Sequence, residues 1–436
     1  MNSATTCAII RSILHWIEKE MSETINLADK IEKQLPAELV NFMQTAGKIA
    51  ASQGQNLYLV GGIVRDLLLG KSNFDLDLVV EGDAIDLAHQ LNNIKQGKIT
   101  THPRFKTAKL KWDKWSVDLT TARAETYARP GALPSVKPDS LTSDLFRRDF
   151  TINAMAIGLN PTRYGELIDR YGGKNDLERK LIRILHDKSF IDDATRIWRG
   201  LRYEQRLNFQ LERNTIKLLK RDIPMLDTIS GDRIRYELEC IFHEERPEKG
   251  LRRAEELGVL PRLHPALKGD SWLAEKFESA RQLTSPTPPP IGLYLALLTY
   301  RLSDAENEHL ISYLRLSKPI AQTLRDSINL TVKLKLLDDP NIMSSNIYHT
   351  LHGYSPPALI ANSLASESTV ARRHIQLFLD KLCYVKPSLT GNDLQKMGII
   401  PGPQIKETLE QLHEARLDGK VSSKKDEMKL VKGWLG

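Results

Sequence analysis

Cysteine is nearly absent: Cys7, Cys240 and Cys383 are the three in 436 residues, and they lie far apart. That spacing offers neither a disulfide framework nor a zinc site and fits a reducing, cytoplasmic setting. The 11 histidines include no pair at the HExxH spacing of a metal-binding helix. Apolar runs are short. None approaches the roughly 18 residues that a membrane-spanning helix requires, so no membrane association is expected. Near the start, Ile9, Ile10, Ile13, Leu14, Trp16 and Ile17 fall at helical spacing but are interrupted by Arg11, Glu18, Lys19 and Glu20. This pattern predicts an amphipathic helix and not a signal peptide.

What is present is ordinary in amount: 41% hydrophobic and 27% charged residues, as in a globular protein. The length exceeds one core and implies two to four domains. A net charge of +7 suits a polyanionic partner such as RNA.

The most informative stretch runs from Leu57 to Val80, LYLVGGIVRDLLLGKSNFDLDLVV. Leu57–Val60 reads as a short buried strand. Gly61 and Gly62 permit a sharp turn and close approach of a ligand to the backbone. Ile63–Leu69 has helical periodicity, with Gly70 placed to cap it. A second strand then begins at Asp75-Leu76-Asp77. Alternation puts Asp75 and Asp77 on one face, where two carboxylates repel unless a cation lies between them. Oxygen ligands of this kind suit Mg²⁺, completed by substrate phosphates.

Further along, Asp83–Asn92 reads as a helix. The runs 105–112 and 115–119 alternate like strands around an Asp113-Lys114 turn, which predicts a hairpin. Asp118 falls at strand parity with Ser116 and Thr120. Pro130-Gly131-Ala132-Leu133-Pro134 marks a loop. In Arg147-Arg148-Asp149 an arginine pair could grip a triphosphate by its planar forks, with Asp149 orienting a guanidinium. In Asp192-Asp193-Ala194-Thr195-Arg196, Asp192 is placed to cap a helix, so that Asp193 and Arg196 share one face. Asp193 could accept from the amino group of cytosine or adenine while Arg196 donates to the neighbouring ring nitrogen. Uracil and guanine present the reverse order and would leave buried groups unpaired. After Lys188 no strand pattern persists. Strands first and helices afterwards indicate an α+β head on an all-helical remainder.

Three of these segments together, LVGGIVRDLLLG with DLDLVV, RRDFTINAMA and DDATR, resemble the class II tRNA nucleotidyltransferase and bacterial poly(A) polymerase family. The resemblance covers about residues 55–430; its tail part, Leu389–Lys420, is looser. It implies a DNA polymerase beta-like nucleotidyltransferase head, a mixed sheet with helices, followed by helical neck, body and tail. The expected divisions are an N-terminal helical extension 1–48, a catalytic head 49–180, a neck 181–262 carrying the nucleotide-selection motif, and a tRNA-binding body and tail 263–436. The implied activity is template-independent, Mg²⁺-dependent addition of CMP and AMP to the 3′ end of tRNA, with CTP and ATP as substrates and a two-metal site on Asp75 and Asp77. The implied nucleotide pocket contains Gly61, Gly62, Arg65, Arg148, Asp193, Arg196, Arg199 and Arg202. The resemblance also implies Asp118 as a candidate third carboxylate; a capped or solvated aspartate is the alternative. The family usually has Glu where Asp192 stands, which bears on the helix cap alone. The rival readings are a partial enzyme adding only CC or only the terminal A, a poly(A) polymerase, and an inactive RNA-binding homologue.

Overall fold

The computed structural model describes residues 25–435, and the chain divides between Ile229 and Ser230. The expected N-terminal helix through Glu20 lies outside the described residues.

The first unit is built on a seven-stranded sheet in the order β3-β4-β5-β2-β1-β8-β9. These strands are β1 Asn56–Val60, β2 Leu76–Glu81, β3 Lys98–His102, β4 Thr107–Trp112, β5 Trp115–Thr121, β8 Met155–Gly158 and β9 Leu167–Asp169. Strands β2 and β5 run parallel, and the other neighbours are antiparallel. The sheet is therefore mixed, as expected. The β4–β5 hairpin turns at Asp113, whose φ of 44° is the left-handed conformation a tight turn needs. The helix after β1 spans Gly62–Leu69 and ends on Gly70 in the left-handed region. The helix Ala84–Lys95 begins at Asp83, whose carboxylate accepts from the Ile85 and Asp86 amides.

Two expectations change here. The boundary at residue 48 falls inside one helix, Ala37–Ser52. Leu39, Val40, Phe42, Met43, Ala46 and Ala50 of that helix are buried at helical spacing. Phe42 stacks on Trp112 at 4.6 Å, and Glu38 accepts from the indole N–H groups of Trp112 and Trp115 at 2.9 and 2.7 Å. The helix is thus part of the head. The Pro130–Pro134 stretch is a loop, as expected, and its flanks are paired. β6 Arg123–Thr126 pairs antiparallel with β7 Ser135–Pro138, and only the residues between them are turn. Finally, a strand does occur beyond Lys188: β11 Gln210–Leu211 pairs in parallel with β10 Leu181–Ile182. A two-residue strand is too short for alternation to reveal it.

The second unit is helical from Gly231–Phe242 to Lys424–Trp434. Its core includes a ring cluster of Phe242, Phe277 and Tyr294. The Pro286–Pro290 stretch connects helices Ser271–Thr284 and Ile291–Leu298. Toward the end, Leu389, Leu394, Ile399, Leu412 and Val431 form a separate small core. Gly402, with φ 139°, turns the chain into helix Pro403–Leu417.

Candidate active site

The edge of the sheet where β1 ends and β2 begins carries the acidic groups. Gly61 leaves β1 with φ 80°, a conformation that favours glycine. A Cβ at that position would lie 3.0 Å from Arg148 Nη1 and 3.4 Å from Asp77 Oδ2. The turn therefore brings an arginine and an aspartate to the two sides of one bare backbone position. Asp77 faces Asp118 in the parallel β2–β5 register, and Lys109 Nζ pairs with Asp118 at 2.9 Å. Burial pushes the Asp77 carboxyl up to about 6; Asp75 and Asp118 push it the same way, against Arg148 and Lys109. Three carboxylates thus share one corner, with Asp118 where a third member was sought. Among the described residues, no three histidine, cysteine or carboxylate side chains close into a ready-made metal cage. A hard cation held here would need further oxygens from a ligand.

Arg148 leans on Asp144, its Nη2 donating to Oδ2 at 3.0 Å. Its Nε is buried and, among the described residues, bonds to no protein atom. A guanidinium with a spare donor beside a glycine turn suits an anionic ligand. Arg147 is used differently, donating to Asp144 and to Glu125. Asp144 is fully buried and receives both arginines. Burial works to raise its carboxyl, yet Arg148 and Arg147 together hold it below the ordinary value. Its spacing, three and four residues before the arginines in helix Leu141–Phe146, is the signal that could have identified it.

Arg65 stands against the expected pocket, its Nη2 3.5 Å from where a Cβ on Gly62 would lie and its guanidinium 5.4 Å from the Tyr203 ring, but its donors are engaged. It is buried, with Nε and Nη2 both donating to the adjacent Asp66 at 2.9 Å and Nη1 to Asn153 at 2.8 Å. Its own sequence neighbour supplies the planar acceptor its fork fits, and it lies beneath the turn as framework. Asp149 orients a guanidinium as expected, and the guanidinium is that of Arg199: Nε and Nη2 donate to Asp149 Oδ2 at 2.9 and 2.6 Å. Burial opposes ionisation of Asp149, but Arg199, Asn153 and Arg196 hold its carboxyl down to about 2. Arg199 and Arg202 both lie over the ring of Tyr203, at 5.7 and 4.9 Å, a residue the sequence reading passed over.

Asp193 and Arg196 come together, but not on one helical face. A short helix Ser189–Asp192 ends first. Asp193 follows with extended backbone, φ −144° and ψ 99°, and its Oδ1 accepts from the Thr195 amide and hydroxyl at 3.0 and 2.7 Å. Asp192 does not cap the helix Thr195–Leu207; its N-cap position is Ala194, and Asp193, one residue earlier, holds Thr195 at the helix start. Arg196 in its first turn donates to Ser189 Oγ at 2.7 Å and to the Arg147 carbonyl at 2.6 Å. It also lines a cavity of about 500 Å³ with Glu125, Tyr127, Phe146, His186 and Asp192. The Phe146 and His186 rings lie 4.8 Å apart on one wall. The Tyr127 hydroxyl donates to Glu125 at 2.8 Å. Burial and the Glu125 charge raise its pKa, Arg196 lowers it, and Asp193 raises it, so Tyr127 stands in the field of both residues.

An acidic strand start, a glycine turn and a spare arginine on a mixed sheet define a nucleotidyltransferase head. Residues 57–183 match the Poly A polymerase head domain, and residues 208–270 match the probable RNA and SrmB-binding site of polymerase A. An A-adding tRNA nucleotidyltransferase of Halalkalibacterium halodurans is 33% identical over 426 residues, covering 95% of this chain and 97% of its own. An A-adding tRNA nucleotidyltransferase of Geobacter sulfurreducens is 35% identical over 92% of this chain; the match spans about half, 48%, of that longer protein. Among solved structures, a CCA-adding enzyme in an apo form superposes with a TM-score of 0.81 at 31% identity, covering 94% of this chain and 99% of that one. The Thermotoga maritima CCA-adding enzyme in complex with tRNA gives 0.77 at 30% identity, over 94% and 99%. The chain belongs to the tRNA nucleotidyltransferase and poly(A) polymerase family and is a nucleotidyltransferase.

Proposed function

We propose that this enzyme adds CMP and AMP from CTP and ATP to the 3′ end of tRNA without a template. The observation that carries the reading is the Gly61 turn, with Arg148 on one side and Asp77 on the other. A triphosphate laid along the turn meets the Arg148 guanidinium, whose Nη1 stands beside Gly61, and the reacting phosphorus then lies at the carboxylates. Asp77, desolvated and crowded by Asp75 and Asp118, fits with the exposed Asp75 a divalent cation as counter-charge, and Mg²⁺ held there would lower the pKa of the attacking 3′-hydroxyl and offset charge on the phosphates. The protein's own part is placement. Arg148 orients the triphosphate. Asp149 fixes Arg199, which with Arg202 and Tyr203 forms the inner wall. Asp193 and Arg196 present an acceptor and a donor to the base edge. The unit up to Ile229 supplies this chemistry, and the helical unit after it docks the RNA.

One sharp consequence concerns Asp193. Asp193→Asn keeps an oxygen for Thr195 but replaces a carboxylate acceptor by an amide that also donates. Rejection of UTP and GTP should weaken by roughly 10- to 100-fold, since a mismatched buried hydrogen bond costs about 1–3 kcal/mol. Rates of addition of each of the four nucleotides to one primer measure this. Unchanged rejection would move base choice elsewhere.

A narrower reading, addition of the terminal A alone, is favoured by relatives at 33–36% identity that are A-adding enzymes. The experiment is addition to three tRNA transcripts, ending before CCA, after C and after CC, with CTP and ATP supplied singly and together. A complete enzyme extends all three to CCA. A terminal enzyme extends only the CC-ending transcript, and only with ATP. Extension of none would overturn both readings.

A further inference from the structure

We propose that Asn73 is a positioning residue, the outer end of a hydrogen-bonded chain that ties the start of the acidic strand to the arginines of helix Thr195–Leu207. This rests on the functional reading above, which places Asp75 and Arg199 at the reacting nucleotide.

The chain is continuous. Asn73 Oδ1 accepts from the Asp75 amide at 2.9 Å, and its Nδ2 donates to Asp66 Oδ2 at 2.8 Å. Asp66 receives the fork of Arg65, and Arg65 Nη1 donates to Asn153 Oδ1. Asn153 Nδ2 donates to Asp149 Oδ1 at 3.0 Å. The other oxygen of Asp149 takes the fork of Arg199. Arg65, Asp66, Asp149 and Asn153 are each at most 7% exposed. Charges alternate along the chain, so no buried ion lacks a counter-ion. Both amides stand between a group that must accept and a group that must donate, which dictates their orientation.

Asn73 is the link with the least support around it. It sits in the short loop between Gly70 and Asp75, and it is only partly buried. Besides Asn73, that loop is held by the Lys71 amide on the Asp66 carbonyl, at 2.8 Å, and by Phe74 edge-on to Trp115, at 6.2 Å. The position requires a side chain that both accepts and donates. A carboxylate at 73 could accept from Asp75 but could not donate to Asp66, and it would set two like charges together. The backbone of Asp75 would then lose its register with Asp66, Arg65 and the wall beyond them.

The test is Asn73→Asp, an isosteric change, with Asn160→Ala as the control. Asn160 makes the same kind of bridge in the same unit, accepting from the Leu57 amide and donating to the Gln55 carbonyl, but it is outside the chain. In addition of nucleotide to tRNA, Asn73→Asp should lower kcat about 10- to 100-fold, as a small misplacement of reacting groups does, with KM for the nucleotide within about threefold. Its Tm should fall no further than that of Asn160→Ala, which should leave kcat within about twofold of wild type. Combined with Asn153→Ser, or with Arg199→Lys should that variant not fold, Asn73→Asp should cost clearly less than the product of the single effects, because one chain is already broken. A kcat within about threefold of wild type, a loss confined to KM, or strictly multiplicative effects would overturn the proposal. Failure of the wild type to add nucleotide would instead overturn the functional reading.

Discussion

Asp77→Asn should reduce nucleotide addition by at least about 1000-fold, the scale on which a group stabilising transition-state charge acts, while tRNA binding persists. The side chain keeps its shape, so the sheet has no reason to change. What is lost is the charge that faces Asp75 and Asp118 at the end of the Gly61 turn. That charge is a burden to the free protein, since burial and two neighbouring carboxylates all oppose it. The variant should therefore unfold at the wild-type temperature or above it. Magnesium ions should raise the unfolding temperature of the wild type, as a ligand of the native state does, and leave that of the variant where it was. Turnover, tRNA affinity by a binding assay and thermal unfolding with and without Mg²⁺ give the three readouts. Turnover within a few-fold of wild type would remove Asp77 from the chemistry.

Asp144→Ala should fail in a different way, through stability and substrate grip together. Arg147 keeps Glu125, but Arg148 loses the carboxylate that aims it. Stripping the acceptor from buried guanidinium groups costs about 3–5 kcal/mol. For a unit of this size each kcal/mol is about 2–4 °C, so the unfolding temperature should fall by about 10 °C. KM for the nucleotide should rise at least about tenfold, since a directed charged bond is worth about 1.5–3 kcal/mol. Acid should expose the same dependence in the wild type. The folded-state pKa values of Asp144 and Asp149 are depressed, so their contribution is full above the ordinary carboxylate range and is lost as pH falls through it toward about 2 for Asp149. The Asp144→Ala protein should lose less stability than wild type over that descent. Equal unfolding temperatures at pH 7 would show that Asp144 is no keystone.

The segments that carry chemistry were legible because each is compact in sequence. The Gly-Gly turn, the acidic strand start, the Arg147-Arg148-Asp149 triplet and the hairpin at Asp113 all depend on spacings of a few residues, which periodicity reports. What escaped depends on distance. Arg65 could not be recognised as framework, because one of its partners, Asn153, is 88 positions away. Arg199 meets Asp149 across 50. The β6–β7 pair hid behind proline and glycine, and its anchor is Glu125, where Arg123, Tyr127 and Arg147 converge. The misplaced detail at Asp193 is instructive in another way. Assuming a helix from Asp192 onward gave the right neighbour, Arg196, with the wrong backbone, because one short helix ends at Asp192 and the next begins only at Thr195.

Position 61 shows how much of this active site is an atom that is not there. Its backbone angle resists any side chain, and its two flanks are a guanidinium and a carboxylate that a methyl group would press upon. Two independent constraints therefore meet at one codon. A side chain there would be strained by the backbone and would crowd the Arg148 guanidinium, the group proposed to orient the triphosphate.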